Sequence, residues 1–457
     1  MFFDSGLVIA LLVGAALAVA TAAVAAEPSG PAPAENLIRN ADFAAGQGDA
    51  SEHWTVWRPL LENAACAVRR AESGLLVDAP KEPYAVGGAV QTVAGIRPGQ
   101  AYAVEAVAEL RGIAAPARAL LVRLHWTKAG KPLHPAGWLV RGPAVAGNVA
   151  TFADTFVAPP EADGATLALE VRWPQGGAVL WKRAGLRPTV APPPRKVKIG
   201  TSYLRPKNST PEKNLDLFAA HIDEAGRLGL DILCLSEAIT QVGAGQDVDK
   251  IAQPVPGPAT ERLGAAARKN KVWVVAGLTE RAGGRVYNTA VLLDREGRLA
   301  GTYRKVHLPR EEWQKGIAPG GEYPVFRTDF GMVAIQICYD WFFPEAAEMF
   351  ARAGAEILLA PTWGDTLPDQ GGAAMGETVF RVRARDNGLY LVPAVYDGNS
   401  MIIDPMGRIL VTSGGREGVF WTEVDLAARE RLPWVGQWGS IGPRDRMPGT
   451  YGPLIRE

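Results

Sequence analysis

Cys338 is the residue in this chain best placed to do chemistry. It follows Val333, Ile335 and Ile337 in the run from Gly331 to Glu345 and precedes Tyr339, Asp340 and Pro344. The apolar alternation predicts a strand, and Pro344, with its fixed φ and missing amide proton, suits the first turn of a helix. A side chain at such a bend is exposed while backbone N–H groups gather beside it. A thiol at its ordinary pKa of about 8.5 is mostly protonated at neutral pH, so a nucleophilic cysteine needs a base or a cationic neighbour. The chain offers one of each at strand ends. Glu237 closes the apolar run from Asp231, and Lys305 follows the strand that leads into Tyr303 to Pro309. Lys305 lies 68 residues after Glu237 and 33 before Cys338.

Glu237, Lys305 and Cys338, in that order and at strand ends, resemble the catalytic triad of the nitrilase (carbon–nitrogen hydrolase) superfamily. The resemblance covers roughly residues 197–445 and includes three further segments. These are Glu312 ahead of Pro319 and Gly320, the run Arg383 to Gly388, and the run Asp404 to Arg408. It implies that Glu237 takes the proton of Cys338 and later activates water. Lys305 and the backbone N–H of Tyr339 would hold the oxyanion. The family's second glutamate, which orients the lysine and the substrate, matches Glu312, with the adjacent Glu311 as the alternative. A thioester would then be hydrolysed to a carboxylic acid after release of ammonia or an amine. Trp363 matches a family position near the substrate pocket. Core packing explains Trp363 about as well; Asp340 is a second pocket candidate, although it reads first as elbow support, with Tyr339, Pro344 and Glu345. A rival mechanism pairs Cys338 with His307, which lies two residues from Lys305 and shares its direction on an extended segment.

The expected substrate is a small amide or carbamoyl compound, with nitriles ranking behind. No cofactor is implied, no His/Cys/Asp cluster has metal-ligand spacing, and phosphate-cradling loops are absent. Basic and acidic residues balance at 48 each, so nucleic acid is not an expected partner. The family resemblance implies self-association into homo-oligomers. Two other functions compete with hydrolysis. One is a carbohydrate- or cell-wall-binding protein with an inactive hydrolase domain, which the intact triad disfavours. The other is acyl transfer to an amine within the same superfamily.

The elements that must position these residues form two blocks. From Asn36 to about Thr189, short alternating segments with Gly/Pro turns predict a β-sandwich. Its opening at Asn36 to Phe43 and its close at Ala178 to Leu186 resemble galactose-binding-like jelly rolls. That likeness implies a carbohydrate-binding or accessory module over 36–189, and Trp54, Trp57, Trp126, Trp138, Trp173 and Trp181 are either core aromatics or a sugar platform. A Pro-rich linker, 190–196, is expected as a semi-rigid spacer. Strands and helices then alternate over 197–445, with helices expected at Asn214–Leu228, 259–269, 344–353 and 376–386. A final hairpin is expected at 400–411. This pattern is an α/β mixed sheet, and the resemblance implies the α-β-β-α sandwich. Specificity is expected from loops at Thr362–Gly376 and Gly436–Tyr451.

Residues Gly6–Ala26 are almost entirely small and apolar. With Ala23-Val24-Ala25 as a cleavage site, residues 1–26 read as a secretory signal peptide, and their length also suits a membrane anchor. The expected location is periplasmic or secreted. Three cysteines are too few for a disulfide scaffold, so Cys338 is expected to be free.

Overall fold

The computed structural model describes residues 35–71, 73–79, 81–364, 375–432, 434–437 and 444–455. The apolar run Gly6–Ala26 lies outside these residues, as do parts of both expected specificity loops. Residues Asn36–Glu457 form one compact unit.

Its first half is all-β. Two six-stranded antiparallel sheets enclose a core that includes Tyr102, Phe152, Leu169 and Trp181. One sheet is built around Val86–Ala94, Gly164–Arg172 and Leu120–Lys128, the other around Ala178–Thr189, Ala101–Arg111 and Val149–Val157. Inward side chains alternate with outward ones along Ala101–Arg111, which is the period-two signal the sequence carries. Trp54, Trp126 and Trp181 are buried in this core, so half of the six tryptophans have no face free for stacking. Trp57 is 38% exposed.

The second half is built on two six-stranded sheets, with a short two-stranded one, Arg431–Leu432 with Gly436–Gln437, after them. The first sheet contains β1 (Lys196–Tyr203), β2 (Ile232–Cys234), β3 (Trp273–Ala282), β4 (Arg285–Leu293) and β5 (Leu299–Arg304). The second contains β6 (Val325–Arg327), β7 (Met332–Ile335), β8 (Ile357–Gly364), β9 (Tyr390–Asp397), β10 (Met401–Ile403) and β11 (Ile409–Thr412). The chain then returns to the first sheet as β12 (Gly418–Asp425), antiparallel to β1. Both sheets are mixed: β1–β2–β3 and β7–β8–β9 are parallel, and the hairpins are antiparallel. Ile199, Ile232 and Val275 meet Val333, Leu358 and Val392 in a core between the sheets. Helices α1 (Pro211–Leu228) and α2 (Pro258–Asn270) cover the first sheet, while α3 (Pro344–Arg352) and α4 (Met375–Asn387) cover the second.

Helix α1 starts three residues earlier than its apolar pattern suggests. Pro211 sits in the first turn, the Thr210 side chain accepts the Lys213 amide, and Gly229 at φ 67° ends the helix. Capping, not periodicity, sets these limits. Strand β12 lies beyond the hairpin with which the sequence pattern closes. Val419 and Val424 are buried and the residues between them alternate between half-buried and exposed, as suits an edge, so it carries no continuous apolar run.

The linker does not hold the two halves apart. Arg429 clasps Asp154 through two parallel bonds of 2.7 and 2.6 Å, and Asp154 is almost fully buried. Arg431 lies over the Trp138 ring at 5.1 Å, and Val435 packs on Leu121 and Leu139. These contacts run from the segment after β12 back onto the sandwich.

Candidate active site

The first sheet supplies a carboxylate, an amide and an ammonium, and the second supplies the thiol. Glu237 follows β2, and strand β3 passes close beside it at Gly277. A Cβ on Gly277 would lie 2.6 Å from the Glu237 Cα, so this approach requires glycine. Lys305 follows β5, and its backbone N–H donates to the Asn288 carbonyl on β4 at 2.9 Å. Its own carbonyl accepts the Gly320 N–H at 2.8 Å. A Cβ on Gly320 would lie 2.1 Å from the Arg304 carbonyl oxygen, which gives the Pro319–Gly320 step its purpose. Cys338 opens a single 3-10 turn after β7 at φ 39°, a left-handed conformation costly for a residue with a Cβ. Tyr339 is the next residue of that turn, and the first amides of such a turn have no acceptor within it.

Lys305 is 1% exposed and its Nζ touches two carboxylates at once. Glu237 Oε1 lies at 2.9 Å and Glu312 Oε1 at 2.7 Å. Asn288 Nδ2 donates to the same two oxygens, at 2.7 and 3.0 Å. Of the two adjacent glutamates, Glu312 is the one whose carboxylate reaches Lys305 Nζ; Glu311, beside it on the short helix Arg310–Trp313, is exposed. Three buried acceptors remain without a partner: Glu237 Oε2, Glu312 Oε2 and Asn288 Oδ1. The Tyr396 hydroxyl donates to the Glu237 carbonyl at 2.7 Å, which braces the backbone that carries the carboxylate.

Burial pushes the Cys338 thiol up, and the Glu237 carboxylate adds to it, to about 12, against the opposing effect of Lys305. The thiol also bonds weakly to Glu237, and the Trp363 backbone N–H points at the sulfur. Burial alone would discharge Lys305, but the charge of Glu237, with Cys338 and Glu312 behind it, holds the ammonium above its ordinary range. Burial raises the Glu312 carboxyl; Lys305 opposes this and Glu237 reinforces it. The resting arrangement is a neutral thiol beside a carboxylate, with a cation locked in place.

These groups share a cavity of about 330 Å³ with Ala238, Val248, Thr279, Ile317 and Trp363 on its walls and Gln241, Glu311 and Lys315 among its lining. Trp363 also packs edge-on against Tyr396, 5.3 Å between ring centres. Asp340, expected as a pocket residue, does not line the cavity. It has no exposed surface, because four hydrogen bonds turn it into the elbow. His307 does not line the cavity either; its Nδ1 is bound to Asp340 at 2.8 Å. Tyr339 packs its ring on Phe342 and Phe343 and does not line the cavity. Asn288 is the functional residue that sequence reasoning missed. An asparagine inside the strand Arg285–Leu293 is unusual, and that oddity was the available signal.

Glu237→Gln removes the carboxylate that raises the thiol and leaves Lys305, which lowers it. The Cys338 pKa is expected to fall from about 12, so at pH 8 more thiolate is present. Each unit is a tenfold gain, so iodoacetamide should alkylate Cys338 at least about tenfold faster than in wild type while turnover is lost. Alkylation at the wild-type rate or slower contradicts these electrostatics.

Comparison with known proteins agrees with this geometry. The family model for carbon–nitrogen hydrolases matches residues 198–433, just over half of the chain. The omega-amidase NIT2 of Xenopus tropicalis is 29% identical over 244 residues, covering 48% of this chain and 87% of that protein. Human omega-amidase NIT2 is 28% identical over 249 residues, covering 50% and 89%. Among solved structures, Saccharomyces cerevisiae Nit3, a member of branch 10 of the nitrilase superfamily, is 26% identical over 50% of this chain and 90% of its own, at a TM-score of 0.46. The matched span contains every residue that meets at Lys305, and the chain belongs to the carbon–nitrogen hydrolase family as an amidase-type enzyme of the nitrilase superfamily.

Proposed function

We propose that this enzyme hydrolyses a primary carboxamide group, one whose nitrogen carries no substituent, in an amide or carbamoyl compound, through a thioester on Cys338. The single observation that carries this reading is the sharing of Lys305 Nζ between Glu237 and Glu312, with the neutral thiol against Glu237. An ammonium has three donors. Two are taken by carboxylates, and the third is left for the substrate oxygen.

In this mechanism Glu237 accepts the Cys338 proton as the sulfur attacks the carbonyl carbon. Negative charge moves to the carbonyl oxygen, where Lys305 and the Tyr339 N–H stabilise it; a pre-aimed donor of this kind is worth about 10²- to 10³-fold in rate. The C–N bond then breaks, the Glu237 proton passes to nitrogen, and ammonia leaves. Water loses a proton to Glu237, attacks the thioester, and the carboxylic acid departs as the thiol regains its proton. Every group returns to its starting state.

The unpartnered Glu312 Oε2 and Asn288 Oδ1 favour an unsubstituted nitrogen. A primary amide brings two N–H donors, Glu312 Oε2 and Asn288 Oδ1 are two acceptors with unmet bonds, and a buried acceptor left unmade costs about 1–3 kcal/mol. An N-methyl amide supplies one donor fewer. Its kcat/KM is expected to be at least about tenfold below that of the parent amide, as one lost hydrogen bond implies. Intact-mass measurement during turnover of a mixed pool of primary amides and carbamoyl compounds should reveal an acyl adduct on Cys338 that Cys338→Ala abolishes. Equal turnover of N-methyl amides would overturn the donor argument, and persistent hydrolysis by Cys338→Ala would overturn the thioester.

We also infer export, on the strength of the apolar run Gly6–Ala26 and the small residues Ala23 to Ala25. Among the described residues no helix is long and apolar enough to cross a membrane. The N-terminus of the protein recovered from a secreting host should lie just after residue 25; an intact Met1 in the released protein contradicts this.

A further inference from the structure

Asp340 is completely buried, and its side chain joins two parts of the chain that the mechanism needs to keep in register. Its Oδ1 accepts the His307 backbone N–H at 3.0 Å and the His307 ring Nδ1 at 2.8 Å. Its Oδ2 accepts the Tyr303 hydroxyl at 2.7 Å and the Ile337 backbone N–H at 3.0 Å. Tyr303 and His307 stand two residues to either side of Lys305, and Ile337 immediately precedes Cys338. One carboxylate therefore ties the segment that carries the ammonium to the segment that carries the thiol.

The surrounding contacts make that tie rigid. The His307 ring lies flat on Phe343, 3.9 Å between centres and 11° between planes, and Phe343 is the residue that ends the elbow turn. Tyr303 packs edge-on against Phe350 of α3. Asp340 also closes the elbow from within, since its own N–H donates to the Ile337 carbonyl at 3.0 Å. Left-handed backbone at a residue such as Cys338, φ 39°, persists only where the surroundings over-determine it. The other bonds of Lys305 Nζ run to Glu237 and Glu312, and neither belongs to the elbow.

We propose that His307 and Asp340 are positioning residues: the imidazole–carboxylate pair sets the separation between the Lys305 ammonium and the Cys338 thiol, and His307 acts through Asp340, not as a base. This rests on the reading of Cys338 as the nucleophile. His307 Nδ1–H can donate to Asp340 in the neutral and the charged imidazole alike, so the role calls for a donor at that point in space and not for a titrating ring. Misplacing reacting groups by about 1 Å costs roughly 10²-fold, which sets the size of the expected effect.

The test compares His307→Ala, His307→Asn and Asp340→Ala in the full chain, using a primary amide that the wild type turns over. An asparagine at 307 retains an N–H donor near the place of Nδ1. His307→Ala is expected to lower kcat about 10- to 100-fold with KM within about twofold, as loss of a transition-state alignment requires. His307→Asn should recover most of that loss, with the wild-type pH–rate profile. The double variant His307→Ala/Asp340→Ala should be no slower than Asp340→Ala alone, because the two residues act as one unit. The proposal is overturned if His307→Asn is as slow as His307→Ala and one limb of the pH profile disappears, which identifies a proton carrier. It is equally overturned if both His307 variants keep wild-type kcat and only melt earlier. Should Asp340→Ala not fold, the two single His307 variants still decide. Hydrolysis that survives Cys338→Ala would instead remove the underlying reading, and is recognised by that variant alone.

Discussion

An ammonium withdrawn from water must be compensated nearby, and Lys305 meets that demand with two carboxylates, each within hydrogen-bond distance. Much else in the catalytic half follows from this arrangement. Removing either partner would leave an under-compensated charge in the interior, a loss of about 3–5 kcal/mol for a buried pair. Two acids around one cation leave an excess of negative charge, which falls on the neighbouring thiol and keeps it protonated. Glu237 itself stands beside that sulfur, where the proposed mechanism needs a proton acceptor. The interaction that stabilises the site therefore also withholds the nucleophile until a carbonyl is present to receive the charge.

The scaffold works to keep this cluster in place. Strands β2 and β7 lie in two facing sheets and deliver Glu237 and Cys338 to one cavity. Gly277 and Gly320 permit backbone approaches that a methyl group would block. Asn288 holds both carboxylates by one amide nitrogen, so their oxygens stay together despite like charge. Asp340 closes the elbow and ties it to the Lys305 segment. The sandwich is fastened to the same unit by the Arg429–Asp154 fork, a planar bidentate contact that lysine could not reproduce.

Much of this was legible in the amino-acid sequence, and the boundary of legibility has physical causes. Glu237, Lys305 and Cys338 stand out because charged or reactive side chains at the ends of apolar runs break the pattern of a buried strand. Glu312 was preferred to Glu311 by the family pattern alone, since a four-residue helix in a loop has no periodicity to set its phase. For Asp340 the elbow reading held and the pocket candidacy did not, and the two could not be separated because its orientation depends on partners from Tyr303 and His307, more than 30 residues away in the chain. Asn288 escaped for the same reason: its partners come from two other segments. In the sandwich, alternation made the strands readable, while the burial of Trp54, Trp126 and Trp181 depends on how two sheets face each other. The edge strand β12 lacks a buried face on one side, so its pattern is weak even though its pairing with β1 is extensive.

The most direct measurement of the central claim, a protonated resting thiol beside Glu237, is the rate of Cys338 alkylation in the folded wild-type enzyme as a function of pH. Burial and Glu237 hold the thiol at about 12, so the rate should climb about tenfold per pH unit across the neutral and alkaline range that the fold tolerates, with no plateau. A plateau reached near pH 7 would mean that Cys338 rests as a thiolate paired with Lys305. Glu237 would then have no proton to take in the first step, and the mechanism would fail there.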